Sequence, residues 1–158
     1  MARGAANRFL FTRDMRHSAV LVRGGELLVF WTRVGDAPER ILLSTIALDS
    51  DWAKWQASEP VEAMRPELEW GEFSRSRPNG VSLDLTVVLW RCFSCLAEGV
   101  ELPPEPSVRG EITERAHSLR DPAVLEDEDG RVYLFYCGAG EHCIGVAELL
   151  FSEEGPRL

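Results

Sequence analysis

Two stretches of this chain, about a hundred residues apart, carry the same pattern, and that repeat constrains the fold more than any other feature. Arg16-His17-Ser18-Ala19-Val20-Leu21 aligns with Arg120-Asp121-Pro122-Ala123-Val124-Leu125. Each is followed by a short polar turn ending in glycine, Gly25 or Gly130, and then by ELLVFW or RVYLFY. With one residue inserted in the second turn, Leu27, Val29, Phe30 and Trp31 fall opposite Val132, Leu134, Phe135 and Tyr136. Both copies then cross a loop of glycine and acidic residues and enter a last apolar run, ILLSTIAL from Ile41 and CIGVAELL from Cys143.

The apolar runs are short, rich in Val, Ile, Leu and aromatics, and separated by Gly, Asp and Pro turns, so each copy reads as a meander of three β-strands. The second strand of each is apolar on both faces: Leu27, Val29 and Trp31 against Leu28 and Phe30, and Val132, Leu134 and Tyr136 against Tyr133 and Phe135. A strand without a polar face needs cover from both sides, as the middle strand of a sheet stacked between other sheets receives in a propeller blade. The spacing of the copies is about twice a blade of roughly 50 residues. Between them Val81, Leu83, Leu85, Val87 and Leu89 alternate with other residues, which predicts a strand with one buried face. The expected fold class is therefore all-β, a partial β-propeller with two firm antiparallel blades and a possible degenerate third. As one domain over 1–158 it divides into a blade-like part at 14–70, an irregular or inserted segment at 71–115, and a blade-like part at 116–151. The tryptophan-rich stretch after Asp49 reads as the loop following a third strand, with its tryptophans capping the seam between blades and an outer strand near Pro60 to Met64.

RDPAVLEDEDGRVYLFYCGAGEHCIGVAEL resembles the blade signature of five-bladed β-propeller glycoside hydrolases, the group around glycoside hydrolase families 43, 32, 62 and 130. RHSAVLVRGGELLVFWTRVGDAPERILLSTIALDSDWAKW is similar to another blade of that kind. The resemblance covers about half of the chain. It implies three essential carboxylates, of which Asp121, in the RDP motif, stands where the Asp that supports the charged transition state would stand. Arg120 would flank it, holding it ionised or binding a sugar hydroxyl. The resemblance also implies five blades where two or three are visible, so apolar faces would need cover from missing blades or from self-association.

Glycosidic hydrolysis needs two carboxyl groups, and the position matching Asp121 in the first copy is His17, a candidate proton donor or a hydrogen-bonded strand-start residue. Glu141, in the GAGEHC loop, and Asp36 and Glu39, in the VGDAPER loop, are the other carboxylates that could reach a channel mouth, exposed turn acids being the commoner role. The candidate catalytic set is Asp121, Glu141 and His17; the candidate substrate-binding set is Arg120, Arg16, Asp36 and Arg40. The expected activity is that of a glycoside hydrolase acting on or binding carbohydrate, with a non-catalytic carbohydrate-binding or interaction module as the alternative.

Composition narrows the partners. Hydrophobic residues at 45% and charged residues at 27% suit a folded chain rather than a disordered one. A net charge of -9, without a basic run, disfavours nucleic acid. No stretch is long and apolar enough for a membrane helix, the first residues lack a secretory apolar core, and a cytoplasmic location is expected. Cys92 and Cys95 have a metal-type spacing that Cys137 and Cys143 do not repeat, so no metal is expected and free thiols are. The acidic turn before Gly130 lacks the spaced ligands of a calcium loop and reads as a solvated hairpin turn. No nucleotide-binding glycine loop or metalloprotease helix is present, and no cofactor is expected.

Overall fold

A computed structural model describes residues 9–67, 75–76, 78, 85–90 and 98–151. They form two open antiparallel sheets, and the described residues are all-β apart from a short 3-10 turn at Trp52–Lys54. The first sheet holds β1 (Met15–Arg23), β2 (Glu26–Arg33), β3 (Ile41–Ala47) and β4 (Val61–Met64) in sequential order. The second holds β5 (Arg75–Ser76), β6 (Leu85–Trp90), β7 (Leu119–Glu126), β8 (Val132–Gly138) and β9 (Cys143–Phe151), in the order β5-β6-β9-β8-β7. The middle segment thus supplies an edge of the second sheet: β6 pairs with β9 from Leu85 opposite Phe151 to Trp90 opposite Val146. The alternating strand expected there is present over Leu85–Trp90, with Leu85 and Val87 buried; positions 81–84 lie outside the described residues.

Local chemistry explains the turns. Arg23 pairs with Glu26, leaving Gly24 and Gly25 alone in the β1–β2 loop at φ 59° and 80°, a tight hairpin that needs positive φ at both positions. The β7–β8 turn closes through Gly130 N–H donating to Asp127 O at 2.9 Å and Asp127 N–H donating to Arg131 O at 2.8 Å. Asp129 there accepts from Arg131 Nε at 2.6 Å, and this hydrogen bond holds its carboxyl below the usual range. Gly145 faces Tyr136 across β8 and β9; a Cβ at that position would collide with the Tyr136 ring, so the absence of a side chain lets the phenol lie flat on the strand.

One core joins the sheets. Leu28, Phe30, Ile41 and Leu43 of the first meet Val132, Leu134, Tyr136, Ala147 and Leu149 of the second, all nearly inaccessible to water. Each of the larger aliphatic and phenylalanine side chains among them contributes about 1.5–3 kcal/mol by burial. The faces that meet are not equivalent in the repeat. Leu28 and Phe30 correspond to Tyr133 and Phe135, whereas Val132, Leu134 and Tyr136 correspond to Leu27, Val29 and Trp31. The back of one repeat therefore packs on the front of the other.

The remaining faces differ. On the first sheet Val29, Trp31, Leu42 and Ile46 form a second cluster covered by Phe11, Met15, Trp55 and Ala57. β2 is consequently buried on both sides, as its composition requires. Trp55 packs on this outer face, and Trp52 is exposed, so neither tryptophan lies in the seam between the two sheets. On β8 burial alternates: Tyr133 and Phe135 are only half-buried, and the double cover expected for this strand is not supplied by the described residues.

This asymmetry separates two repeat-equivalent residues. Phe30→Ala should lose about 3–5 kcal/mol of stability, and Phe135→Ala well under half of that, in urea unfolding of dilute protein. Equal losses would contradict the packing.

Candidate functional site

The repeat places the same irregularity near the start of β1 and of β7. Arg16 pairs with Thr32 and Ser18 with Trp31, leaving His17 as an extra residue at φ 47°. Arg120 pairs with Cys137 and Ala123 with Phe135, and within this shift Asp121 also has φ 47°. A side chain in the left-handed region costs roughly 1–2 kcal/mol, and bulges of this kind turn a side chain out of the ladder. Backbone strain repeated at equivalent positions is a pointer to a site.

The two bulges meet because their arginines share an acid. Glu39, 0% exposed, sits in the β2–β3 loop, bridged to Ser118 and accepting Leu119 N–H at 2.9 Å through its carbonyl. Arg16 grips its carboxylate with both prongs, Nε to Oε1 at 2.8 Å and Nη2 to Oε2 at 2.6 Å. Arg120, 1% exposed, places Nε 2.8 Å from Glu39 Oε2, although its N–H is not aimed at that oxygen. Its Nη1 donates to Glu141 Oε1 at 3.3 Å. Two cations and two anions thus alternate from one sheet to the other.

Above them His17 and Asp121 face each other, Nε2 to Oδ1 at 3.4 Å. Behind each stands the residue opposite its bulge. Thr32 Oγ1 lies 3.3 Å from His17 Nδ1, and the Cys137 thiol lies beside the Asp121 carboxylate. Burial, and after it the Asp121 carboxylate, push the Cys137 thiol pKa up. The Thr32 hydroxyl also donates to the Arg16 carbonyl at 3.4 Å, which ties it to the strand residue before the bulge.

These groups open on a cavity of about 450 Å³ lined by Arg16, His17, Arg109, Gly110, Glu111, Asp121 and Glu141. That volume is in the range of small-molecule sites. Its lining is polar, with three carboxylates, an imidazole and two guanidinium groups. Arg109 is steadied by the Arg13 carbonyl at 2.6 Å and by Asp14. Beside it a cavity of about 550 Å³ lies under the 102–118 segment and is floored by Glu39, Ser118 and Arg120.

Four of the residues singled out from sequence, Asp121, Glu141, His17 and Arg16, therefore line one cavity. Arg120 lies beneath it, occupied by Glu39 and Glu141 rather than by Asp121. Asp36 and Arg40 lie apart from the cavity: Asp36 accepts from Arg33 at 3.0 Å, and Arg40 Nε stands 3.5 Å from Asp36 and 3.4 Å from Glu62. Sequence reasoning missed Glu39 as the buried link, along with Thr32, Cys137, Arg109 and Glu111. The recurrence of arginine at 16 and 120 was a signal for a shared acid; nothing in the sequence marked the other four. Cys92 and Cys95 lie outside the described residues, and among the described residues no group of three metal-binding side chains occurs.

The chain is similar to an uncharacterized protein of Acanthamoeba polyphaga mimivirus, 34% identical over 140 residues that cover 88% of this chain and 32% of the viral protein. It thus spans about a third of the length of the curated relative it matches. No family profile matches the chain, and no solved structure matches it.

Removing one partner from a buried ionic cluster leaves uncompensated charge, so Glu39→Gln should cost about 3–5 kcal/mol in urea unfolding, and Glu141→Gln, at the exposed end, much less. Thiolate is the reactive form of cysteine. Cys137 should therefore alkylate more slowly at pH 8 than an unperturbed thiol, and Asp121→Asn should speed it. Peptide mapping resolves the site, and an unchanged rate in the variant would contradict the Asp121 contact.

Proposed function

We propose that this chain is a portion of a β-propeller of the glycoside-hydrolase kind and that the cavity between its two bulges takes a glycoside. The observation that carries this reading is the convergence of the repeat-equivalent residues His17 and Asp121 on one polar cavity that Glu141 also lines. Back-on-front packing of the two sheets supports the propeller, because a propeller repeats that contact from blade to blade. A lining dense in hydrogen-bonding groups suits a ligand that carries hydroxyls around its ring.

In this reading Glu141 is the carboxylate that activates the attacking water, and His17 stands in for the acid carboxyl that protonates the leaving oxygen. Asp121 supports positive charge at the reacting carbon, the role its RDP motif implies. His17, whose Nε2 stands 3.4 Å from it, carries the proton. Arg16 and Arg120 hold the two bulges in register through Glu39, and Arg120 orients Glu141.

Binding without cleavage is the second reading. It is favoured by one feature: Asp121 is already engaged by His17 and Cys137, and Glu141 by Arg120.

A panel of aryl glycosides and the parent sugars, assayed for hydrolysis and by calorimetry, distinguishes the two. Hydrolysis that falls about 10²–10⁴-fold in both Asp121→Asn and Glu141→Gln establishes the enzyme. Sugar binding lost in those variants, with no turnover by the unmodified chain, establishes the binding module. No binding and no turnover across the panel would remove the carbohydrate reading altogether.

A further inference from the structure

The polar cavity has an apolar neighbour. The cavity of about 550 Å³ beside it is walled by Leu102, Pro103, Pro106, Val108, Ile112 and Ala116. Its floor is polar but already partnered within the chain: Glu39 holds two guanidinium groups, Ser118 Oγ accepts the Gly140 N–H at 3.1 Å, and Arg120 Nη1 donates to Glu141. His117, which also borders it, has its ring nitrogens beside the carbonyl oxygens of Leu102 and Pro66, at 3.1 and 3.4 Å. The remaining charged residues around it, Glu105, Glu111, Glu114 and Arg115, are exposed and stand at its rim. A ligand that enters this cavity therefore meets hydrocarbon, in a volume suited to a small molecule.

Two contacts make the cavities neighbouring parts of one site. Glu111 lines both of them. Arg120, on the floor of the second, donates to Glu141, in the wall of the first. A third contact gives the pair a direction. Arg16 Nη1 donates to the Val108 carbonyl at 2.9 Å, so the apolar wall is tethered to the residue that precedes His17. With His17 as the group that protonates the leaving oxygen, whatever that oxygen carries points toward Val108.

We propose that the substrate is a glycoside with an apolar aglycone, an alkyl or aryl group, and that this aglycone occupies the second cavity while the sugar occupies the first. The inference rests on the carbohydrate reading of the polar cavity and narrows it to one class of glycoside. A further sugar in the aglycone position, as in a polysaccharide, would bring hydroxyls against the hydrocarbon walls, and a polar group buried without a hydrogen bond is costly. An alkyl or aryl group loses nothing there and gains by leaving water, in proportion to the apolar area it buries. The polar cavity then fixes the orientation of the ligand, and the apolar cavity selects what hangs from the sugar.

Calorimetry of the full chain with methyl, ethyl, propyl and butyl glycosides of the common hexoses and pentoses, in both anomers, tests it. Each added methylene should tighten binding about three- to fourfold, so a butyl glycoside should bind roughly 30–60-fold more tightly than the methyl glycoside of the same sugar. Val108→Ser, at a wall position 59% exposed and so tolerant of change, should cut that ratio several-fold and leave methyl glycoside affinity as it was. Ile112→Ser, on the same wall, should do the same. Methyl and butyl glycosides bound equally well would overturn the inference and leave the carbohydrate reading standing. A butyl preference untouched by either variant would place the chain elsewhere and overturn it too. Binding of no glycoside at any chain length would remove both readings together.

Discussion

A carboxylate that water does not reach, Glu39, lies between two guanidinium groups from opposite halves of the molecule, and the arrangement of everything around it follows from that contact. A buried charge without a partner costs several kcal/mol, and two converging arginines without their acid would cost more. The loop carrying Glu39 must therefore come down between the strand starts, and the strand starts must come together around it. Arg16 and Arg120 occupy the same place in each repeat, whereas the acid comes from the first repeat alone. The link is asymmetric, and that asymmetry frees Glu141, the loop acid of the second repeat, to stand at the cavity with only one arginine behind it.

Packing and site are two outcomes of one geometry. Stacking a back on a front brings β1 and β7 side by side at one end of the shared core, with their bulges at matching heights. Each bulge displaces one residue from the ladder, and the residue opposite it, Thr32 or Cys137, supports the displaced side chain. The chain Thr32, His17, Asp121, Cys137 thus crosses the seam through positions that correspond pairwise in the repeat. Divergence within the repeat, His for Asp and Thr for Cys, converts a duplicated turn into a mixed donor and acceptor pair. Two aspartates at that distance would repel each other.

Much of the strand content was legible before any coordinates. Short apolar runs between glycine turns encode a meander because the turn residues admit backbone angles that other residues resist, as at Gly24 and Gly25. Three of the cavity residues, His17, Asp121 and Arg16, were legible because the repeat aligns them. Glu141 was visible only as a loop acid, indistinguishable in kind from Asp36, which pairs with Arg33 and Arg40 away from the cavity. Position in a loop says nothing about which way a carboxylate turns. Arg109 and Glu111 were illegible for the same reason: they come from a long irregular segment without periodicity, placed at the cavity by contacts distant in sequence.

Strand identity and repeat register were thus written in the order of residues, since both arise from neighbours along the chain: alternation, turn chemistry and β-branching act over a few positions. What the tertiary structure alone decided was which apolar face meets which, that Glu39 rather than Asp36 is buried between the arginines, and that β6 joins the edge of the second sheet. Both faces of β2 and of β8 are apolar, so hydrophobicity permits either to turn inward. The choice falls to the ionic contact at the strand starts and to the fit of the faces, which exist only when residues a hundred positions apart are already side by side.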